Sequence, residues 1–562
     1  MRSTFARWVG ALALVLSTHG QGGAQQHSHA AAAPPAPRWL SARELELPLP
    51  LREGIGTVHE PVTTASAEAQ AYYDQGVRYL QSFGFVDAAR SFRQALRADS
   101  TLAMAHLRLA FVLVISDDGE GGLAAFEQAR RHAPRASARE QAHVALFGTA
   151  VQASGPDGAA RYRAAVDSAL SRFPDDPELW LARGNAEAGP FEPGTRTALS
   201  AIPFYKRALR IAPSHTGAEH FLVHAYENAQ QDDSAAVYAA RFADHAPQVL
   251  HVHHMLAHTL LKRRRVREAR LGFLRADSLE RLRYAAEPLS PALDWHRQHN
   301  LNMLGLTEWY EGRTAAAEKL LRESVQAAGS RRPVLDAAFH RDLPELLLAS
   351  GRPAEALEYG RSLVAGSRSR MGRALGHAAS GRAQVALGRH AEAAPHLAAA
   401  ESLATVRTGY TANAVWPSIR LLRAELLLHG AAGHAGAADS ARAELLELGR
   451  VARSATEPDD WLVSLFRLEA MARTARGAGE WALADSAARL MLEHDSTYAG
   501  THYALGLAAE RRGDHRRARL AFERARRLWD AADPGFPQLA ELRRRLAGED
   551  SPGRRGRGER SR

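Results

Sequence analysis

Two pairs of histidines carry the spacing with the most chemical content in this sequence. His220 and His224 stand four residues apart, and His254 and His258 repeat the pair at the same spacing further along the chain. On a helix an i,i+4 pair leaves one face, so each pair presents two imidazoles together. At the histidine frequency of 26 in 562, four prescribed positions all being histidine has a raw chance of about 5 × 10⁻⁶. Duplication or selection must be invoked. Four neutral ring nitrogens suit zinc, copper or nickel better than calcium or magnesium. His220, His224, His254 and His258 are therefore a candidate metal set, and Glu227 could add a carboxylate or orient a ring. Cysteine is absent, which excludes disulfides, thiolate zinc sites, iron–sulfur clusters and thiol nucleophiles. There is no H-E-x-x-H, no G-x-S-x-G elbow and no phosphate-cradling glycine loop. A metal-dependent hydrolase is thus a remote reading, and the chain is expected not to be an enzyme.

The elements that must position these histidines follow from an internal period of 34. Gly76, Ala88, Phe92 and Ala95 are answered one period later by Ala110, Gly122, Phe126 and Ala129. The two histidine pairs are separated by the same period. Small residues at the eighth and twentieth places let two helices approach, and an aromatic at the twenty-fourth fills the groove between them. Prolines such as Pro134, Pro213 and Pro247 break the second helix. Leu505, Gly506, Gly513, Ala518, Phe522 and Ala525 form a clean late copy. No alternating β-branched run bounded by turn residues marks a strand. The pattern resembles the tetratricopeptide repeat. That resemblance implies an all-α fold, a right-handed superhelical solenoid of about ten to twelve helix–turn–helix units over residues 66–532, and repeats that must stack to bury their apolar faces.

The same resemblance implies that positions two, five, nine, twelve and thirteen of each first helix line a concave groove. His220 and His224, then His254 and His258, take positions five and nine of consecutive repeats. His251 and His299 take position two; Asn302 takes position five; Trp309 and Tyr310 take twelve and thirteen. Glu227, Asn228 and Lys262 complete the polar lining. Two occupants suit such a wall. The first is an extended peptide or a helix from a protein partner, received by a pH-sensitive histidine surface; the second is a transition metal. Packing alone is the bland third reading. The segments at 215–227, 251–258, 69–76 and 295–300 are similar to those of long exported bacterial repeat proteins with H-x-x-x-H in consecutive repeats. His215, His220, His224, His251, His254, His258 and His299 fall on the matching positions, whereas Phe85 and Asn302 stand where histidine is expected. This resemblance implies no particular activity.

The ends of the chain read as processing and linker segments. Arg2 and Arg7, an apolar run at 9–16 and small residues at 22–24 form a signal peptide, predicting a soluble, extracytoplasmic and periplasmic protein. A new terminus Gln25, Gln26, His27 could chelate copper or nickel, although terminal glutamine readily cyclises. Residues 25–65 read as a flexible Pro/Ala-rich spacer, and 533–562 as a helix end followed by a disordered Arg/Gly-rich tail. The net charge of +10 includes the basic run Lys262, Arg263, Arg264 and Arg265, read as a solvated turn. No aromatic interleaves it, so no nucleic-acid partner is expected. Arg341 and Arg382 also read as solvated arginines, with anion binding as the alternative. No segment reaches the length of a membrane span.

Overall fold

The computed structural model describes residues 40–116, 118–153, 155–188, 197–327, 338–407, 409–430, 436–454 and 458–547. The signal segment 1–24, the insertion 189–194 and the tail 548–562 lie outside these. The helices divide into two compact units. One runs to Arg263 and includes Leu271–Arg297; the other takes Arg264–Arg270 and the chain from Gln298 onward.

The first unit holds α1 (Ala42–Leu45), α2 (Ala67–Gln81), α3 (Phe85–Ala98), α4 (Ala103–Ile115), α5 (Gly119–His132), α6 (Ala138–Gln152) and α7 (Gly155–Arg172). It continues with α8 (Pro177–Ala188), α9 (Thr197–Ile211), α10 (Thr216–Asn228), α11 (Asp232–His245), α12 (Leu250–Lys262) and most of α13 (Val266–Ala286). The second holds most of α14 (Trp295–Tyr310), then α15 (Thr314–Ala327), α16 (Asp342–Ala349), α17 (Pro353–Gly366), α18 (Arg370–Ala386), α19 (His390–Leu403) and α20 (Gly409–Gly430). It ends with α21 (Ala437–Ser454), α22 (Pro458–Gly477), α23 (Trp481–His494), α24 (Ala499–Arg511), α25 (His515–Leu528) and α26 (Pro537–Ala547). From α2 to α25 these form twelve consecutive helix pairs, and no strand occurs among the described residues. The fold is an all-α tetratricopeptide-type repeat.

Close packing inside each pair explains the periodic pattern. A Cβ placed on Gly76 would lie 2.4 Å from the Phe92 ring, and one on Gly506 2.4 Å from Phe522. Gly184 meets Tyr205 at 2.3 Å in the same way. The eighth position is small because the twenty-fourth fills its space. The turn joining the two helices is left-handed in eight pairs: glycine serves at 312, 351, 388, 479 and 513, but Phe83, Gln230 and Arg264 serve elsewhere. Position four has a structural use as well. His106, His253 and His502 each place Nε2 at 2.8–3.0 Å from the carbonyl six residues earlier, as Trp180 does with its indole N–H at 2.8 Å. Part of the histidine excess therefore closes inter-repeat turns.

The spacer expected over 25–65 is corrected over 40–65. Leu40, Leu49, Ile55 and Val58 are buried, and side chains of the first repeats hold the extended backbone. Arg97 donates to the Glu46 carbonyl at 2.9 Å, Arg90 to Pro48 at 2.6 Å, Gln75 to Pro50 at 3.1 Å and Arg78 to Val58 at 2.9 Å. Glu60 is buried against Tyr73, at 2.6 Å, and Arg108, at 3.0 Å. The segment lacks periodicity because it is bound through its main chain, not folded on itself. In the second unit Arg341 and Arg382 are corrected too. Both are buried, Arg341 on Asp342 at 2.7 Å and Arg382 between Glu345 and Glu425.

Gly76→Ala and Gly506→Ala should each destabilise the protein by up to about 2 kcal/mol, since overpacking costs about 1–3 kcal/mol and better helix propensity returns about 1 kcal/mol. Gly366→Ala, where a Cβ meets nothing within 4 Å, should shift the urea midpoint little. Equal effects at all three positions would contradict the packing account.

Candidate metal centre

The site is built where α10 and α12 carry their histidines past the end of α2. His215 caps α10, its Nδ1 accepting the Ala218 N–H at 3.2 Å while its Nε2 lies 3.0 Å from Glu178. His220 is then fully buried. Its Nδ1–H donates at 2.7 Å to the carbonyl of Gln81, one of the groups that a helix C-terminus leaves without an intrahelical donor. α10 passes close to that end, since a Cβ on Gly217 would lie 2.7 Å from the Gln81 side chain. The Gln81 amide is itself held by Glu178, which Arg108 contacts at 3.2 Å.

With Nδ1 bearing the hydrogen, the Nε2 of neutral His220 carries a bare lone pair. Two further nitrogens converge on it. His224 Nε2 and His251 Nε2 each lie 3.0 Å from His220 Nε2. One nitrogen from each of the three residues lies within 4.8 Å of the other two. Three aromatic rings pack on the group: Phe221 and Phe242 stack on His220 at 5.5 and 5.2 Å. The third, Phe83, touches all three imidazoles, with centroids 4.5 Å from His220, 5.3 Å from His251 and 5.9 Å from His224. His224 is one-fifth exposed and faces Glu227 through its other nitrogen, Nδ1, at 3.9 Å.

Charge is unwelcome on these rings. Burial pushes His220 down to about 4 despite the opposing Gln81 hydrogen bond. Burial, then the neighbouring His220, holds His224 well below the ordinary histidine value. His251 is held equally low by burial and by the surrounding histidines, His220 foremost. The rings are neutral at pH 7, the state a metal ligand needs.

The expected four-histidine set is thus regrouped. His220 and His224 come together as the spacing predicts, but the third nitrogen belongs to His251. His254 and His258 are buried and pair with each other, centroids 4.3 Å apart, against Phe273 at 5.1 Å from His254. His296 adjoins His251 and His254 at 4.9 and 4.7 Å, with its Nδ1 3.0 Å from Glu280. Glu227 is buried, and Asn228 and Lys262 are half-buried. The remaining lining residues lie in the second unit. There His299 is buried beside Phe339 at 5.9 Å. Asn302 donates to Asp342 at 3.0 Å, Trp309 stacks on Phe466 at 3.9 Å, and the Tyr310 hydroxyl donates to Asp495 at 2.8 Å. Neither aromatic is offered to a ligand in the groove. Sequence spacing passed over Phe83 and Gln81. Phe83 was legible as the aromatic at a turn position that five other repeats give to glycine and two to Gln230 and Arg264.

No protein-family model matches the chain, and no curated protein matches it. Among solved structures it is similar to the human IFIT1 dimer with m7Gppp-AAAA, at TM-score 0.38 and 14% identity, over 82% of this chain and 95% of that one. It is also similar to the APC/C hetero-tetramer Cut9–Hcn1, at TM-score 0.33 and 12% identity, over 84% and 76%. At these values the likeness assigns neither ligand nor partner, and no helix among the described residues is long and apolar enough to cross a membrane.

Proposed function

We propose that the chain is a helical-repeat scaffold whose first unit binds a transition-metal ion through His220, His224 and His251. One observation carries this reading. Two Nε2 atoms stand 3.0 Å from a third whose single lone pair can accept only one N–H in a good hydrogen bond. The other contact is then lone pair against lone pair, or a second N–H crowded onto a lone pair already in use, in a buried site. A cation at the centre satisfies all three nitrogens at once. The Gln81 carbonyl supports the reading, because an imidazole ligand commonly donates its second nitrogen to a carbonyl that fixes its orientation. Zinc, copper and nickel are the ions this donor type suits. The role is binding or handling of the metal rather than hydrolysis, since no carboxylate joins the three nitrogens among the described residues. Export, and kinship with exported repeat proteins bearing H-x-x-x-H, belong to the same proposal and rest on the sequence features given above.

The peptide-groove reading has one observation in its favour, the backbone-reading side chains of α2 and α3. That surface already holds residues 46–58 of the same chain, so a partner peptide would have to displace them.

Protein purified without chelators should carry close to one equivalent of metal by elemental analysis. His220→Ala should fall to background, while His254→Ala/His258→Ala should keep most of it. Near-zero metal in the wild type, with none taken up on dialysis against zinc, copper or nickel, would sink the proposal.

Metal-free protein should lose stability on acidification. The unfolded chain protonates these histidines near pH 6.5, whereas folded His220 does so only near 4. Between those values the unfolded state binds more protons, so unfolding free energy falls as pH falls from about 6.5 towards 4. His220→Gln should flatten that limb in denaturant titrations, and an unchanged slope would contradict the buried neutral assignment.

A further inference from the structure

We infer that the His220, His224 and His251 site is selective for a soft monovalent ion, copper(I), over zinc(II). The inference rests on the metal-binding reading above and adds the identity of the ion.

The donor set comes first. Three neutral nitrogens gather without a carboxylate among the described residues, and the chain has no cysteine to supply a thiolate. Glu227 stands behind His224, 3.9 Å from Nδ1, the nitrogen that does not face His220. The bound ion therefore keeps its whole charge inside an aromatic enclosure. The solvation cost of burying an ion grows with the square of its charge, so a dication is penalised about four times as heavily as a monocation of similar size. Coordination number points the same way. Zinc takes four ligands, and where the protein gives three, water supplies the fourth. Here the ring of Phe83 covers all three imidazoles, at 4.5, 5.3 and 5.9 Å, and offers a water no hydrogen bond of ordinary strength. A filled-shell monocation is stable with three nitrogens alone, and an aromatic face attracts a nearby cation.

Phe83 adopts φ +56 at a hairpin turn where five other repeats place glycine and two place Gln230 and Arg264, so its place in the turn is set by the repeat and its ring by the histidines it packs on.

The test is competition titration of the full-length purified protein. Anaerobic copper(I) is presented with bicinchoninate, and zinc(II) with a pyridylazo-resorcinol indicator. One copper(I) should bind per chain, at least a hundredfold more tightly than zinc. His220→Ala should abolish that binding. Phe83→Asp keeps a residue that tolerates the left-handed turn and adds an anionic ligand, so the preference should narrow at least tenfold in favour of zinc. Phe83→Gly, which relieves the turn outright, should lose copper(I) affinity without gaining zinc. Circular dichroism confirms that each variant is folded, and X-ray absorption of the copper(I) form should report three nitrogen neighbours. Zinc bound as tightly as copper(I) by the wild type would overturn the selectivity and leave the metal-binding reading standing. Failure to bind either ion would overturn both. Copper(I) binding that survives His220→Ala would place the ion elsewhere and overturn this inference.

Discussion

The close passage of a small residue beneath a ring, the eighth position under the twenty-fourth, governs the rest of this molecule. Gly76 under Phe92 and Gly506 under Phe522 leave no room for a methyl group. Hairpins built this way are drawn to one spacing, and the turn is left-handed in many repeats. Successive first helices then present the same positions to the same side. Histidines on neighbouring first helices acquire a common face by this means. Relaxing the helix-to-helix contact by even one methylene would displace imidazoles whose nitrogens lie 3.0 Å apart, because interiors packed to this density transmit rather than absorb such changes.

That face carries an electrostatic problem as well as a geometric one. Burying a polar atom without its partner costs about 1–3 kcal/mol, and the cluster holds several. His251 Nδ1 and His296 Nε2 are buried without a hydrogen-bond partner. An ordinary core would place leucine or phenylalanine at such positions, as the neighbouring Phe242 and Phe273 do with full burial. Protonation offers His251 no escape, since burial and the neighbouring histidines hold its ring well below the ordinary value. The arrangement is a burden to folding unless something enters it, which separates it from the position-four histidines. Those spend their ring nitrogens on a carbonyl six residues back and need no ligand.

The repeat and its twelve hairpins were legible because glycine, alanine and aromatic residues recur at fixed places for steric reasons visible in one sequence. The pairing of His220 with His224 was legible for the same reason, as an i,i+4 spacing on one helix. The approach of His251 to His220 was not. It depends on how adjacent helices cross, and a crossing slides their facing positions by about one turn. His251 follows His220 at a separation of 31, about one turn short of the full period. Position numbers equate repeats and so hide this offset. The packed stretch 40–65 was illegible for another reason. It is held through carbonyls, which every residue type supplies, and through scattered side chains such as Leu49, Ile55 and Glu60, so it carries no periodic mark of its binding.

That stretch is also joined to the histidines by a continuous run of polar contacts. Glu60 binds Arg108 at 3.0 Å, Arg108 reaches Glu178 at 3.2 Å, and Glu178 holds the Gln81 amide. The Gln81 carbonyl then receives the His220 Nδ1–H at 2.7 Å. Each link is buried or nearly so, where hydrogen bonds to charged groups are strong and their geometry is exacting. Burial tends to push the Glu178 carboxyl up, but the opposed contacts with His215 and Arg108 hold it down to about 2, so it stays an acceptor under all ordinary conditions. The consequence reaches the proposed ligand itself. A carbonyl can only accept, so Gln81 forces the hydrogen of His220 onto Nδ1 and leaves Nε2 bare towards its two neighbours. The tautomer that makes the site a ligand is thus set by the end of a helix 139 residues away, and the stretch that resembled a linker in sequence helps to hold that end in place.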